Sequence, residues 1–508
     1  MDKKYDVIVV GAGNGGLAAT AVTAKAGYKT LLLEKHNVPG GSASSFRRGR
    51  FEFEPSLHEL CAMGSAQAPK DTRKIFDRIG AKVDFRSDDK TFRAICTAED
   101  GFDVTMRAGE DNFCDDLEAA VPGCRDSVKA FFELERSDEK TLEYITAKNN
   151  KPNALVMVLK HANFLRNSSH SMEEVEIALG MPEKARNIIN TYWGYLGVPT
   201  DELNAFHYMT MVSSYVQDGA VMPYKRSHEL SLSFEKAITD NGGEVWYNSE
   251  VTGFLYNEDG SCAGVELRSG EKLYAKQIIS NIIPNNVYAM SDKKYVPEKE
   301  IKLANSRKFG MSFVTIYLGL DCPKEELGIK DYTVFISDYA NPRDCYNHRT
   351  DGSYYVVNCL NEVIPDASPE GTSMLFFTAF MRNEDFPQDL TPQGYKKWKN
   401  DIAKKYIQNY EKTMGIDVMS HIEEIEIATP VTFARYLGTP TGEVYGYEAS
   451  SWDSILARIQ SNPTDYTVKN LTYCGGHGMR ADGYSCAYMT GQIAGDAVIA
   501  KLKGGKRK

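Results

Sequence analysis

Residues Tyr5 to Glu34 read Y-D-V-I-V-V-G-A-G-N-G-G-L-A-A-T-A-V-T-A-K-A-G-Y-K-T-L-L-L-E. The run Val7-Ile8-Val9-Val10 is apolar, β-branched and non-alternating, the pattern of a strand buried on both faces. Gly11-x-Gly13-x-x-Gly16 follows. Leu17 to Ala26 is rich in small and helix-forming residues, and Gly27 is a natural helix stop. A second strand, Thr30 to Leu33, ends at Glu34. Strand, turn, helix, strand and terminal acid fall in the register of a dinucleotide-binding βαβ unit. Gly11 permits the tight turn, Gly13 lets backbone approach a pyrophosphate, and Gly16 lets helix and strand pack closely. The helix N-terminus offers free N–H groups to the phosphates, and Glu34 can accept from a ribose diol.

The next segment is Lys35-His36-Asn37-Val38-Pro39-Gly40-Gly41-Ser42-Ala43-Ser44-Ser45-Phe46. A nicotinamide enzyme has no need for a second glycine pair here. A cofactor that continues past the ribose does, because adjacent glycines and small hydroxyl residues let backbone lie along a ribityl chain and a flavin ring. The spacing points to FAD rather than NAD.

At 508 residues the chain exceeds one core and implies two or three domains. A net charge of −10 argues against nucleic acid as partner. The ten cysteines form no C-x-x-C and no zinc-ligand spacing, which fits reduced thiols in a cytoplasmic protein. A strand beginning at Tyr5 leaves no room for a signal peptide, and no apolar run is long enough to span a bilayer.

Further along, residues 71–215 read mainly as helix, with strand-like interruptions near 81–107. Pro152 to Leu165 is apolar with Lys160 and His161; it reads as a core helix, with a membrane-surface segment as the sharper alternative. Tyr192 to Pro199 is aromatic and reads as core or as a wall for an apolar substrate. Ser231 to Asn241 is helical. Glu244–Tyr247, Val251–Tyr256 and Ala263–Leu267 read as strands, the last two joined by a hairpin at Asn257–Gly260. Lys272–Lys276 and Ile278–Asn281 read as two further short strands. Ser312–Leu318, Tyr354–Cys359 and Met374–Phe380 suggest a second sheet, and Trp398–Met414 a helix. Near the end a short strand from Leu471 meets C-G-G-H-G-M-R-A-D-G-Y, residues 474–484, with a helix from about Ser485.

These motifs resemble the FAD-dependent phytoene desaturase-like oxidoreductases, nearest in pattern to carotenoid isomerases and retinol saturases. The resemblance rests on G-A-G-N-G-G-L with Glu34 and G-G-S-A-S-S-F; on N-G-G-E-V-W-Y-N-S-E-V, G-V-E-L and I-I-S-N; and on Thr429-Pro430-x-Thr432, Gly442, Tyr445-Gly446 and the final glycine-rich turn. It implies an α/β fold: a Rossmann-type FAD-binding domain (1–85, 225–290 and 465–508) and a discontinuous α+β substrate domain (86–224 and 291–464), the amine oxidase/phytoene desaturase-like architecture. It places the pyrophosphate on Gly11, Gly13 and Gly16, with Ala12, Asn14 and Gly15 between them, and the ribose on Glu34 beside Lys35. Gly40, Gly41, Ser42 and Ala43 would line the ribityl and flavin, Val251 would meet the adenine, and Gly475, Asp482, Gly483 and Tyr484 would cover the flavin end. The chain departs from the family pattern at Phe53-Glu54-Pro55-Ser56, at Tyr224-Lys225-Arg226-Ser227-His228 and at Met479-Arg480-Ala481-Asp482, positions expected to approach flavin or substrate.

The implied chemistry is hydride exchange at flavin N5 with a C–C or C=C bond of an apolar isoprenoid, retinoid or fatty-acyl-like substrate: saturation, desaturation or isomerisation. One acid or base is expected near the ring. The candidates are His58, Glu59, Arg226 and Asp482, with His228 and Arg480 beside them. Competing readings are a flavin amine oxidase, a non-redox flavin-dependent isomerase and a lipid-binding flavoprotein. No second complete G-x-G-x-x-G is present, so the electron partner is expected to be diffusible: NAD(P)H, quinone or oxygen. No metal is expected. Peripheral membrane contact is a further expectation, resting on residues 152–165.

Overall fold

A computed structural model describes residues 4–148, 151–448, 468–477 and 483–504. The opening stretch folds as its pattern requires: β1 (Lys4–Val10), α1 (Asn14–Lys25) and β2 (Thr30–Leu33), with Val7 to Val10 and the whole of β2 buried. β1 pairs in parallel with β2 on one side and with the strand Lys272–Ser280 on the other. The sheet continues past β2 to Glu244–Trp246 and carries Leu471–Tyr473 beside Lys272–Ser280.

The strand Lys272–Ser280 differs from its sequence reading. It is one strand of nine residues rather than two short ones. Its first part pairs antiparallel with the hairpin strand Cys262–Leu267, and its later part pairs parallel with β1. Lys276 and Gln277 interrupt the apolar run, but the ladder with β1 passes straight through Gln277. The hairpin from Val251–Tyr256 to Cys262–Leu267 forms where expected.

α1 is buried from Asn14 to Ala24 because it lies between the sheet and the C-terminal helix Tyr484–Leu502. Small residues make this possible. A Cβ on Gly491 would lie 2.2 Å from the Gly15 carbonyl oxygen.

A second, seven-stranded sheet is assembled from residues 90–107 and 312–428. Its central strands, Ser312–Leu320 and Ser373–Met381, are buried along their whole length and run antiparallel with Thr315 opposite Thr378. The period of two divides their side chains. Val314, Ile316, Leu318, Leu375 and Phe377 pack with Ala403, Tyr406, Ile407 and Tyr410 of the helix Pro392–Met414. Phe313, Thr315, Thr378 and Phe380 face the other way, into a cavity.

Residues 154–167 correct the core-helix reading. They form two short helices, Ala154–Lys160 and Ala162–Asn167, that pack inward through Met157 and Phe164 and leave Leu155, Val158, Leu159 and Leu165 exposed. Among the described residues no helix is long and apolar enough to cross a membrane. Tyr192 and Trp193, by contrast, are fully buried in a 3-10 turn.

Candidate active site

A single cavity of about 1350 Å³ runs between the two sheets. It exceeds the usual span of a small-molecule pocket, roughly 300–1,000 Å³. It has three parts: a glycine-lined cleft at the end of β1, an aromatic chamber against the second sheet, and a charged neck.

In the cleft, Gly11 takes φ +95°, which a residue with a Cβ rarely adopts. A Cβ on Gly16 would sit 1.9 Å from the Gly11 carbonyl oxygen, so α1 can leave β1 this tightly only with glycine there. Leu17 N–H is the first α1 amide to bond within the helix, to Gly13 O at 2.9 Å, leaving the first-turn amides facing the cleft. The Asn14 Oδ1 is buried and unpartnered, and Asn14 lines the cleft. Glu34 accepts from Ala12 N–H at 2.7 Å and from His36 N–H at 2.9 Å, which fixes the carboxylate at the cavity wall. A glycine cradle, free amides, an orphaned acceptor and a wall carboxylate fit a dinucleotide. Gly13, Gly15, Lys35, Gly40, Gly41, Ser42 and Val251 also line the cavity, whereas Ala12, Gly16 and Ala43 lie behind the lining.

At the other end of the cleft, Tyr484 O–H donates to Ser42 O at 2.8 Å, Ser56 Oγ donates to the same carbonyl at 3.1 Å, and the two hydroxyls are 3.0 Å apart. This joins the Gly40-Gly41-Ser42 turn, the Glu54–Leu57 turn and the C-terminal helix. Gly475, Gly483 and Tyr484 line the cavity there. Asp482, like Arg480, lies outside the described residues.

The aromatic chamber is walled by Phe313, Phe335, Tyr354, Val356 and Phe380 of the second sheet and by Tyr195 and Tyr215. His58 and Glu59 line it. His58 Nδ1 lies 2.9 Å from Tyr195 Oη and Nε2 lies 3.0 Å from Thr378 Oγ1, so one hydroxyl donates while the other accepts. Burial pushes the imidazole down to about 3, so it is uncharged at neutral pH. Burial, helped by the charge of Asp88, pushes the Glu59 carboxyl well above its ordinary range, so it keeps its proton. The chamber therefore holds a neutral imidazole beside a neutral acid.

Of the residues expected near flavin or substrate, Ser56 lines the cavity, whereas Arg226 and Glu54 lie elsewhere. Arg226 is buried at φ +66° and donates to the Ala367 carbonyl; neither it nor any residue from 224 to 228 lines the cavity. Glu54 is a structural junction, accepting from Ser227 N–H and Oγ–H at 2.8 Å each, from Leu57 N–H at 2.9 Å and from Ser56 N–H at 3.2 Å. A charge on a turn reads as chemistry in a sequence; here these two are consumed by packing.

Asn281 is the main residue not singled out from sequence. Its N–H donates to Val10 O at 2.9 Å, and a Cβ on Gly13 or on Gly475 would come within 2.6 Å of its amide. The glycines of the first and last motifs thus close around one side chain, and the I-I-S-N segment was its only signal. The helix Pro430–Leu437 was also missed: His36 Nε2 lies 2.6 Å from Tyr436 O, and Asn286 Nδ2 donates to Gly438 O at 2.7 Å, closing the Glu34 end of the cleft.

Comparison with known proteins extends this geometry. Residues 9–78 match the NAD(P)-binding Rossmann-like domain family. An all-trans-retinol 13,14-reductase of Danio rerio is 23% identical, the alignment covering 95% of this chain and 85% of that protein. A chloroplastic prolycopene isomerase of Daucus carota is 24% identical (87% and 72%), and a 4,4'-diapophytoene desaturase of a Methylomonas species is 24% identical (84% and 82%). Among solved structures, a putrescine oxidase variant superposes with a TM-score of 0.64 at 14% identity, covering 98% of this chain and 99% of that one, a likeness of fold. With a Rossmann cleft opening into an aromatic chamber and relatives aligned along most of its length, the chain is similar to the phytoene desaturase-like oxidoreductases.

Proposed function

We propose that the protein is an FAD-dependent oxidoreductase acting on carbon–carbon single or double bonds of an apolar, isoprenoid-like substrate. The observation that carries this is the continuity of the dinucleotide cleft with an aromatic chamber in one cavity. The names of the relatives, a retinol reductase, a prolycopene isomerase and a diapophytoene desaturase, support the substrate class.

When bound, FAD would supply hydride exchange at N5. The chain would do the rest. The α1 amides with Gly11, Gly13 and Gly15 would hold the pyrophosphate, and Glu34 the ribose. The Val251 backbone would meet the adenine. Gly40, Gly41 and Ser42, with Gly475, Gly483 and Tyr484, would flank the ring. The aromatic walls would align the substrate carbon and exclude water. Glu59, neutral in the chamber, would hold the exchanged proton at its carboxyl. His58, without charge of its own, would position Tyr195 and Thr378. We assign residues 1–85, 225–290 and 465–508 to cofactor binding and the remainder to substrate, a division supported by how the strands segregate between the two sheets. The electron partner would be a diffusible carrier.

A membrane-surface mode of substrate delivery is favoured by the exposed Leu155, Val158, Leu159 and Leu165 with the exposed cations Lys148, Lys151, Lys160 and Arg166. Tyr144 stacks on His161 at 5.0 Å and ties this patch to the helix Arg125–Ala147, whose Leu142 and Ala147 line the cavity.

The test is anaerobic. The flavin-loaded protein is reduced, polyunsaturated isoprenoids are added, and flavin colour is followed with product mass. Flavin reoxidation with a gain of two hydrogens identifies a saturase. A changed isomer at constant mass identifies an isomerase. Oxidised protein that bleaches with a saturated chain identifies a desaturase, and bleaching only with amines would move the protein to the amine oxidases. Failure to retain FAD overturns the proposal.

A further inference from the structure

The charged neck is the part of the cavity that an oxidoreductase of pure hydrocarbons does not need. It is formed by Lys70, Asp71, Lys74, Glu135, Glu139 and Asp218. It is continuous with the chamber, because the lining runs along the chain from Glu59 through Cys61 and Ala62 to Lys70. Lys70 and Asp218 neutralise each other at 2.7 Å, and Lys74 lies 3.4 Å from Asp71. Glu135 differs. It is only 5% exposed, lines the cavity, and among the described residues neither a hydrogen bond nor an ion pair reaches its carboxyl. Its carboxyl opens onto the cavity, so a ligand that displaces water there must supply the hydrogen bonds that the water made.

Building on the proposed action on apolar chains, we infer that the substrate is amphipathic: an apolar chain in the chamber and a hydrogen-bond-donating head, hydroxyl or primary ammonium, anchored on Glu135. Burial, then the charges of Glu139, Asp218 and Asp138, against the opposing Lys70, push the Glu135 carboxyl up to about 8. A neutral acid both donates to and accepts from a hydroxyl. An ammonium would draw the proton off and pair with the carboxylate. An anionic head would meet the charge of Glu139 beside Glu135 and be repelled.

The test is equilibrium binding to the cofactor-loaded protein of four probes that share a branched chain: phytol, phytylamine, phytanic acid and phytane. The readout is quenching of tryptophan fluorescence. Trp193 packs on Tyr354 and Phe380 of the chamber wall, with ring centroids at 4.8 and 5.9 Å. Phytol or phytylamine is expected to bind about tenfold more tightly than phytane, the equivalent of one buried hydrogen bond, and phytanic acid more weakly. Whichever head wins names the source. Glu135→Leu is expected to erase the preference while phytane binds as before. Glu135→Gln, which keeps a neutral donor and acceptor, is expected to retain phytol and lose phytylamine. Equal binding of all four probes by the wild type overturns the anchor and leaves the apolar-substrate reading standing. So does a preference intact in Glu135→Leu. Should that variant not fold, an undiminished phytylamine preference in Glu135→Gln overturns the anchor as well. Binding of none of the four overturns both readings.

Discussion

His58 and Thr378 meet at 3.0 Å, Nε2 to Oγ1, across 320 residues of sequence. The bond fastens the segment that follows the dinucleotide motif to the centre of the second sheet. Tyr332 O–H, donating to the His58 carbonyl, fastens it again. Because burial lowers the imidazole from 6.5 to about 3, the unfolded chain binds the extra proton between those values and the folded chain does not. Stability from this group is therefore complete above pH 6.5 and falls as pH drops toward 3, by about 1.4 kcal/mol per unit. Urea denaturation at pH 7 and pH 5 should show a smaller loss for His58→Asn than for wild type, even though the variant is weaker at pH 7.

Glu59 behaves in the opposite sense. Its folded-state pKa is raised, so the stability this group contributes is fully present below the ordinary value of 4.5 and declines as pH rises above it. Glu59→Gln, which resembles the protonated acid, should gain stability relative to wild type at pH 8 compared with pH 5. Its turnover should fall about a hundredfold or more if the carboxyl holds the exchanged proton. Wild-type turnover in this variant would remove Glu59 from the chemistry.

Gly16→Ala should abolish flavin retention, because the new methyl would lie 1.9 Å from a backbone oxygen and the β1–α1 junction must open to admit it. Gly27→Ala is the contrast. Gly27 has φ +85° and open space around a Cβ, so the cost is the left-handed backbone alone, about 1–2 kcal/mol. Flavin absorbance of the two purified variants separates the effects.

Leu159 is 72% exposed, the most exposed large apolar side chain of its patch. Leu159→Asp should reduce flotation with anionic liposomes while leaving the melting temperature unchanged. Equal flotation of variant and wild type would sink the membrane-surface mode.

The sequence was most informative where the decisive physics is local. The β1–α1–β2 unit depends on neighbouring glycines and an unbroken apolar run, and the central strands of the second sheet announce themselves through β-branched and aromatic residues. Long-range satisfaction was hidden. Glu54 and Arg226 carry charges that suggest chemistry, yet their partners, Ser227 and Ala367, come from distant segments. Residues 154–160 look like core because short apolar helices usually are, and only the packed structure shows Met157 inward and Leu159 outward. Glu135, Glu139 and Glu143 repeat at the spacing of a solvated helix face; nothing in that pattern says that Glu135 is buried.

The close seating of the C-terminal helix on α1, Gly491 against Gly15, governs the timing of biosynthesis. α1 emerges from the ribosome early, but the surface that covers it is translated several hundred residues later, on the order of a minute at ordinary elongation rates. Until then the apolar side of α1 stays bare and the Tyr484 end of the cleft does not exist. A nascent chain stalled before Gly475 should expose that helix to chaperones and fail to capture flavin, so cofactor loading would wait for the last segment of the chain.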